Sequence, residues 1–230
     1  MSSKDKPIKV GVLISPGVAL MDLFGAHAVF GLVPDVEFHI LWKNQDLIEG
    51  SPRFPIAATT TFDECPPLDV LILGAVPPDI YNDIDVISFI SRQAQYDPYW
   101  IGICGGVLLL GAAGLLEGKR ATTNFHLLDY LCQFGAIAIS GGEVQVDGKL
   151  FTAGPATGGF EAALLVLEQV RGVEQAKLVE LTIEYHPIPP FNVGTPKLAG
   201  PAQTAVAKDI YYTYFNSCAE KALRFYESKT

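Results

Sequence analysis

The chain has 230 residues, of which 49% are hydrophobic and 18% charged, with 16 Lys and Arg against 25 Asp and Glu and a net charge of −9. A chain of this length forms one large domain or two small ones, and its apolar content excludes intrinsic disorder and a coiled coil. The acidic balance, with only short runs of Lys and Arg, argues against nucleic acid as a partner, because neutralising phosphates takes clustered cations.

The N-terminal residues, the apolar runs and the spacing of Cys and His bear on cellular location and on metal binding. Residues 1–7 lead straight into an apolar strand, so we expect a short tail and not a signal peptide. The longest nearly apolar run, residues 107–116, is about half of the roughly 20 residues that span a bilayer. The four Cys and four His show no zinc spacing, and scattered cysteines indicate reduced thiols. The expected protein is cytoplasmic, without a membrane partner, a metal or a cofactor.

Strand-like apolar runs alternate with helical stripes along the chain, which favours a βαβ architecture with a largely parallel sheet. Strands are predicted at residues 8–14, 37–42, 69–74, 99–103 and 119–123 and around 137–139, 144–146 and 150–152, and helices at about 20–28, 87–94, 107–113, 127–134, 158–170 and 211–225. Three prolines exclude a helix or interior strand at residues 185–191. We expect a single domain over residues 1–230, closed by a Pro-rich segment and a C-terminal helix at residues 185–230.

Cys104 lies at the most informative junction of the sequence. It ends the strand predicted at residues 99–103, and Gly105 and Gly106 lead directly into an apolar helix. This is the elbow by which several folds hold a nucleophile at the carboxyl edge of a parallel sheet. Unpaired N–H groups at the helix start would lower the pKa of the thiol and bind an oxyanion. The alternative is a small buried side chain at a tight turn. A structural role as a small apolar side chain is also expected for the cysteines on a Pro-rich loop or an apolar helix face, Cys65, Cys132 and Cys218.

A reactive thiol needs a partner that handles its proton. Asp22 follows the first predicted strand at the start of a helix, which in a parallel sheet places it at the same edge as Cys104. Its alternative role is a helix-start carboxylate stabilised by the dipole. His126, two residues past Asn124 at another strand exit, is the second candidate, although an isolated His is more often structural. The remaining histidines are expected to be structural: His27, His39 and His186.

With these residues placed, the sequence resembles the ThiJ/PfpI superfamily, a class I glutamine amidotransferase-like group of α/β proteins with a reactive cysteine elbow. Within that superfamily it is most similar to the isonitrile (isocyanide) hydratase branch. The similarity extends from about residue 8 to residue 196 and is carried by residues 21–27, 65–70, 104–123 and 191–196. The resemblance implies a flavodoxin-like three-layer sandwich, a homodimer with its active site near the subunit interface, and a small-molecule substrate.

The activity implied by the resemblance is hydration of isonitriles to N-substituted formamides. Cys104 would attack the terminal carbon of the isonitrile and Asp22 would act as general acid and base. Backbone N–H groups of Gly105 and Ala75 would stabilise the developing charge, and Gly74 and Asn124 would complete the substrate-binding wall.

Three positions depart from the pattern of that branch. Gly105 stands where the branch has Thr, residues 73–75 (Leu-Gly-Ala) replace Pro-Gly-Gly, and Asn124 stands where His is common. They leave open a second interpretation, in which a hydratase-inactive relative uses Cys104 as an oxidation sensor or as part of a small-molecule binding site. A sensing domain of a transcription regulator is disfavoured as an expectation, since such proteins append a basic DNA-binding domain and this sequence ends in an acidic helix.

Overall fold

The computed structural model describes residues 6–228, so residues 1–5 of the predicted tail lie outside the described part. Eleven strands are described, bounded as follows: β1 Ile8–Leu13, β2 Val36–Trp42, β3 Ile48–Gly50, β4 Phe54–Ile56, β5 Thr60–Thr61, β6 Val70–Leu73, β7 Tyr99–Ile103, β8 Arg120–Ala121, β9 Ile137–Ala138, β10 Gln145–Asp147 and β11 Leu150–Ala153. Six α-helices accompany them: α1 Met21–Gly31, α2 Ile84–Ala94, α3 Gly106–Ala112, α4 Gly158–Arg171, α5 Val173–Thr182 and α6 Pro196–Glu227. Two 3-10 helices, Pro78–Asn82 and Leu128–Phe134, complete the described elements.

Seven strands form one sheet in the order β10-β11-β7-β6-β1-β2-β5. All neighbouring pairs in it are parallel except β10 and β11, which form an antiparallel hairpin whose turn places Gly148 at a φ of +61°. Three of the inner strands, β6, β7 and β11, are almost wholly buried, as expected for parallel strands covered on both faces. The predicted largely parallel sheet is therefore confirmed.

Helices flank the sheet in two groups. Helix α4 contacts both α1 and α5, whereas α2, α3, α6 and the 3-10 helix Pro78–Asn82 form the second group. The apolar faces of both groups and of the sheet merge into one continuous core of buried side chains. The layered α/β architecture is confirmed, and it brings the carboxyl ends of β1, β6 and β7 to one edge.

The C-terminal third differs most from its sequence prediction. Helix α5 was not predicted, and α6 begins at Pro196, 15 residues before the first residue assigned to it, with a kink where Gly200 has a φ of +79°. Helix α6 is buried only toward its end, where Cys218 and Ala222 lie in the core, whereas Tyr211 is 54% exposed. Cys132 was expected to be buried on a helix face and is exposed instead. Residues 185–191 contain no helix or strand, as predicted, and none of the described helices has the length and apolar character to cross a membrane.

Candidate active site

The turn after β7 holds Cys104 at the carboxyl edge of the sheet. Its backbone has a φ of +53°, a left-handed conformation that a non-glycine residue rarely adopts, and its N–H donates to the Ala153 carbonyl at 2.8 Å. Gly106, the first residue of α3, packs so closely on the end of β6 that a Cβ atom there would collide with the Leu73 carbonyl. The strained turn and the glycine together let the Cys104 side chain stand between the sheet edge and the helix start.

Asp22 reaches the same edge from the first turn of α1. Its carboxylate accepts a hydrogen bond from the Ala75 N–H at 2.8 Å and another from the Cys104 thiol. The residue is only 2% exposed. Gly74 permits this approach, because a Cβ atom there would lie 2.9 Å from the Asp22 Cβ. The sequence placed Asp22 and Cys104 at one edge, and the structure brings their side chains into contact.

Ala75, expected to stabilise the charge of a reacting substrate, has its N–H already engaged by Asp22. In this structure that N–H holds the carboxylate in place. The Gly105 N–H instead points to the sulfur of Cys104. Of the two backbone groups expected to serve as an oxyanion site, one therefore contacts the acid and the other contacts the nucleophile.

The ionisation of the pair differs from the expectation. Burial raises the pKa of Asp22 to about 6, against the hydrogen bonds from Ala75 and Cys104. Burial and then the negative charge of Asp22 raise the pKa of Cys104 to about 12, against hydrogen bonds from Gly105 and Asn124. The prediction of a lowered thiol pKa is wrong, because the few N–H groups of the short helix α3 do not offset burial and a neighbouring carboxylate. Near neutral pH the pair holds one proton, and it resides on the sulfur.

Asn124 joins the site from the loop after β8. Its Nδ2 donates to the Cys104 sulfur at 3.4 Å, and its Oδ1 accepts the His126 backbone N–H at 3.1 Å. The neighbouring Thr123 hydroxyl donates to the Cys104 carbonyl at 2.6 Å. These contacts hold the elbow in place, and Asn124 gives the sulfur a neutral hydrogen-bond donor.

His126, the second candidate for proton transfer, faces away from this pair. Its ring stacks on Phe215 with centroids 4.4 Å apart, and burial with the nearby Lys208 charge lowers its pKa. The ring of His27 packs against Phe38, and Nδ1 of His39 bonds the Thr60 hydroxyl at 2.9 Å. None of the hydrogen bonds of residues 6–228 joins a histidine side chain to Cys104.

Three side chains that the sequence did not assign to the site surround it from the second helix group. Tyr81, Tyr214 and Cys218 lie near enough to Cys104 for their charges to be coupled, and Tyr81 and Cys218 are buried. Nothing in the local sequence marks them, because each is brought to the edge by the packing of α6 on the 3-10 helix Pro78–Asn82. Within the described chain no group of three His, Cys, Asp or Glu side chains could hold a metal ion.

The arrangement can move one proton between a thiol and a carboxylate in a largely buried place. Such a pair can add the sulfur to an electrophilic carbon and deliver the same proton to an atom of the product. Neutral donors from Gly105 and Asn124 are available to the sulfur as it becomes negative.

Comparison with known proteins gives consistent matches. The model of the DJ-1/PfpI family matches residues 8–169. An isonitrile hydratase from Pseudomonas putida is 41% identical over 194 residues, which cover 84% of this chain and 85% of that protein. A crystal structure of a ThiJ/PfpI family protein from Pseudomonas syringae superposes with a TM-score of 0.88 at 30% identity, covering 94% of this chain and 90% of the other. Drosophila melanogaster DJ-1beta, 18% identical with a TM-score of 0.69, covers 79% of this chain and 100% of its own and shares the fold.

Proposed function

The chain belongs to the DJ-1/PfpI family, and we propose that it is an isonitrile hydratase in which Cys104 is the nucleophile and Asp22 carries the proton. The observation on which this proposal depends is the buried contact between the two side chains, with the proton on sulfur and the carboxylate free to receive it. The 41% identity with the Pseudomonas putida enzyme supports the choice of substrate class. Catalysis on another small electrophile would use the same pair, Cys104 and Asp22.

In the first step the thiol proton of Cys104 passes to the Asp22 carboxylate while the sulfur attacks the terminal carbon of the isonitrile. Asp22 then gives that proton to the same carbon. One S–H bond breaks, one S–C bond and one C–H bond form, and the product is a thioimidate on Cys104. The raised pKa of Asp22, about 6, suits this exchange, because a group that titrates near the working pH both accepts and releases a proton.

In the second step water attacks the thioimidate carbon, with Asp22 as the base. One proton of the water ends on the substrate nitrogen and the other returns through Asp22 to the sulfur as the C–S bond breaks. The oxygen of the water becomes the carbonyl oxygen of the formamide. Hydrogen bonds from Gly105 and Asn124 stabilise the sulfur as it leaves.

The test is turnover by the purified protein. An alkyl and an aryl isonitrile are supplied separately, and the appearance of the N-substituted formamide is followed by mass spectrometry. We expect formamide from the wild type and background rates from Cys104→Ser. Cys132→Ser is the matched control, since its thiol is exposed and donates to the Asp129 carbonyl at 3.2 Å. Absence of formamide with the wild type, or full activity in Cys104→Ser, would disprove the proposal.

The oxidation-sensor interpretation is less well supported by the site. Peroxide reacts with thiolates, and the raised pKa of Cys104 keeps the thiol protonated at neutral pH. A sensor would show stoichiometric modification of Cys104 by peroxide without turnover of isonitriles. The hydratase proposal expects the reverse, with slow oxidation and continuous turnover.

The proposal also includes a homodimer in the cytoplasm that acts on a small molecule and needs no metal, cofactor, nucleic acid or membrane. The exposed apolar side chains of Met21 and Phe24, on the first turns of α1 beside Asp22, support a subunit contact close to the active site. Light scattering should give twice the mass of one chain. Phe24→Glu should shift the protein toward the monomer, and a wild-type monomer would rule out the dimer.

A further inference from the structure

Gly105 lacks the side chain that the resemblance leads one to expect after the nucleophile, and another residue fills the space. A Cβ atom added to Gly105 would collide with the hydroxyl oxygen of Tyr81 and would lie 3.1 Å from the Ala75 Cβ. The backbone of Gly105 has a φ of −64°, which any residue can adopt. The neighbouring hydroxyl, and not the backbone conformation, therefore decides that residue 105 has no side chain.

Tyr81 is held firmly in that place. It lies in the 3-10 helix Pro78–Asn82, is 1% exposed, and accepts a hydrogen bond from the Val76 N–H at 3.4 Å. The hydrogen bonds of residues 6–228 include none in which Tyr81 donates, either to the Cys104 sulfur or to another acceptor, so the hydroxyl proton is uncommitted in the resting site. Burial raises the pKa of Tyr81 well above its ordinary value, which keeps the hydroxyl protonated and therefore a donor.

We propose that the Tyr81 hydroxyl does for this chain what a hydroxyl on residue 105 would do: it is a neutral donor that turns toward the Cys104 sulfur as the thiol proton leaves, and so steadies the sulfur during attack. Tyr81 is a positioning residue, since it acts through Cys104. Its ring brings the donor from a distant part of the chain, and Gly105 leaves room for it.

The chemistry of the site gives such a donor a purpose. When the thiol proton moves to Asp22, negative charge develops on a sulfur that has no cation among its hydrogen-bond partners. Neutral donors then carry the stabilisation, and each well-placed one is worth about a tenfold change in rate or in acid dissociation. Tyr214, the other nearby hydroxyl, lies 3.4 Å from the Val76 carbonyl and bonds with Cys218, so its proton is engaged elsewhere. Tyr81 is therefore the one of these two hydroxyls whose proton is uncommitted.

The assay of isonitrile turnover rests on the proposed hydratase activity, and the assay of Cys104 alkylation does not. We would compare the wild type with Tyr81→Phe, Gly105→Thr and the double variant, using Tyr99→Phe as the matched control. Tyr99 begins β7, five residues before Cys104, and its ring lies under Lys149 at the opposite edge of the sheet. Each protein is assayed for kcat and KM with an isonitrile, and for the rate at which iodoacetamide alkylates Cys104 between pH 6 and 10.

Tyr81→Phe should lower kcat about tenfold with little change in KM, and should slow alkylation about tenfold at each pH below the thiol pKa. Gly105→Thr should lower kcat and the alkylation rate more than Tyr81→Phe does, because the threonine side chain collides with the Tyr81 hydroxyl. The double variant should regain at least tenfold over Gly105→Thr in both assays, since the collision is removed and a hydroxyl returns. Tyr99→Phe should match the wild type.

Two results would overturn the inference: wild-type kcat and alkylation in Tyr81→Phe, or a double variant no faster than Gly105→Thr. A purely structural role would change melting temperature without this rescue. If the wild type does not hydrate isonitriles, the proposed function fails, and the alkylation rates alone still decide the role of Tyr81.

Discussion

The charged groups at the two edges of the central sheet differ in their exposure to solvent and in their pairing. At the carboxyl edge Asp22 is 2% exposed and meets a thiol and a backbone N–H, and no cation of residues 6–228 is paired with it. At the amino edge, where β1, β6, β7 and β11 begin, the charged side chains lie in solvent. Lys149 bonds Asp97 at 2.8 Å there, and both side chains are largely exposed. One edge buries an acid whose charge is unfavourable, and the other keeps its charges hydrated and paired.

The difference separates reactivity from ordinary surface structure. Burial without a countercharge shifts a pKa, which is costly for folding and useful for proton transfer. Exposed ion pairs contribute little to the stability of the fold. Removing a charge at each edge and measuring activity and stability therefore tests whether the two edges differ in this way.

The largest expected effect is on catalysis by Asp22→Asn. Asparagine keeps an oxygen that can accept the Ala75 N–H, but it cannot carry the proton between sulfur and substrate. We expect kcat to fall about a thousandfold, within the usual range for loss of a general acid and base. Steady-state rates with an isonitrile measure the loss. Iodoacetamide should still alkylate Cys104 in this variant, and full turnover would remove Asp22 from the mechanism.

The same substitution should stabilise the fold near neutral pH. Because the folded pKa of Asp22 is raised from 3.8 to about 6, the folded state binds its proton more tightly than the unfolded state. Its contribution to stability is therefore most favourable below about pH 4 and is lost as the pH rises through about 6. Asn avoids that loss, so Asp22→Asn should gain up to about 3 kcal/mol at pH 7.5 and almost nothing at pH 4.

Urea unfolding at the two pH values measures this gain, with Asp97→Asn as the matched control. Asp97 is exposed at the amino edge, and its substitution should show no such dependence. An Asp22→Asn variant that is less stable than the wild type at pH 7.5 would contradict the buried, uncompensated carboxylate.

A smaller effect is expected in the pH profile of the wild type. The reactive state has Asp22 ionised and Cys104 protonated, so kcat/KM should rise about tenfold per pH unit below about pH 6 and stay level up to pH 9. Initial rates between pH 4.5 and 9 test this. A rise that begins only above pH 8 would mean that the free thiolate is the reactive form and that Asp22 does not take its proton.

The sequence was sufficient for the elements that create the carboxyl edge. The β-branched run of β1, the apolar run of β6 and the strand before Cys104 are local patterns, and the rule that parallel strands share an edge brings Asp22 to Cys104. The pKa of Cys104 was not predictable in the same way, since it depends on burial by α6 and by the 3-10 helix Pro78–Asn82. Tyr81 escaped notice for the same reason, because its contact with Gly105 links positions 24 residues apart through tertiary packing.

The extent of α6 was missed for a local reason. Gly200 and Pro201 normally end a helix, and a helix start could be inferred only beyond them. The structure instead continues through a kink, with Thr195 capping the first turn by accepting the Leu198 N–H. Sequence patterns therefore predict where a strand or helix forms more securely than where two helices merge.

The smallest expected effect is at the amino edge, where Lys149→Met removes the cation that bonds Asp97. Lys149 also donates to the Asp97 carbonyl at 2.6 Å and lies 5.3 Å from the Tyr99 ring centre, so some stability is lost. Because both side chains are exposed and hydrated, the loss should stay below about 1 kcal/mol, shrink in high salt and leave kcat unchanged. Urea unfolding at low and high salt, beside the turnover assay, measures it. A loss above about 2 kcal/mol, or a fall in kcat, would mean that the amino edge is coupled to the site and that the two edges are not independent.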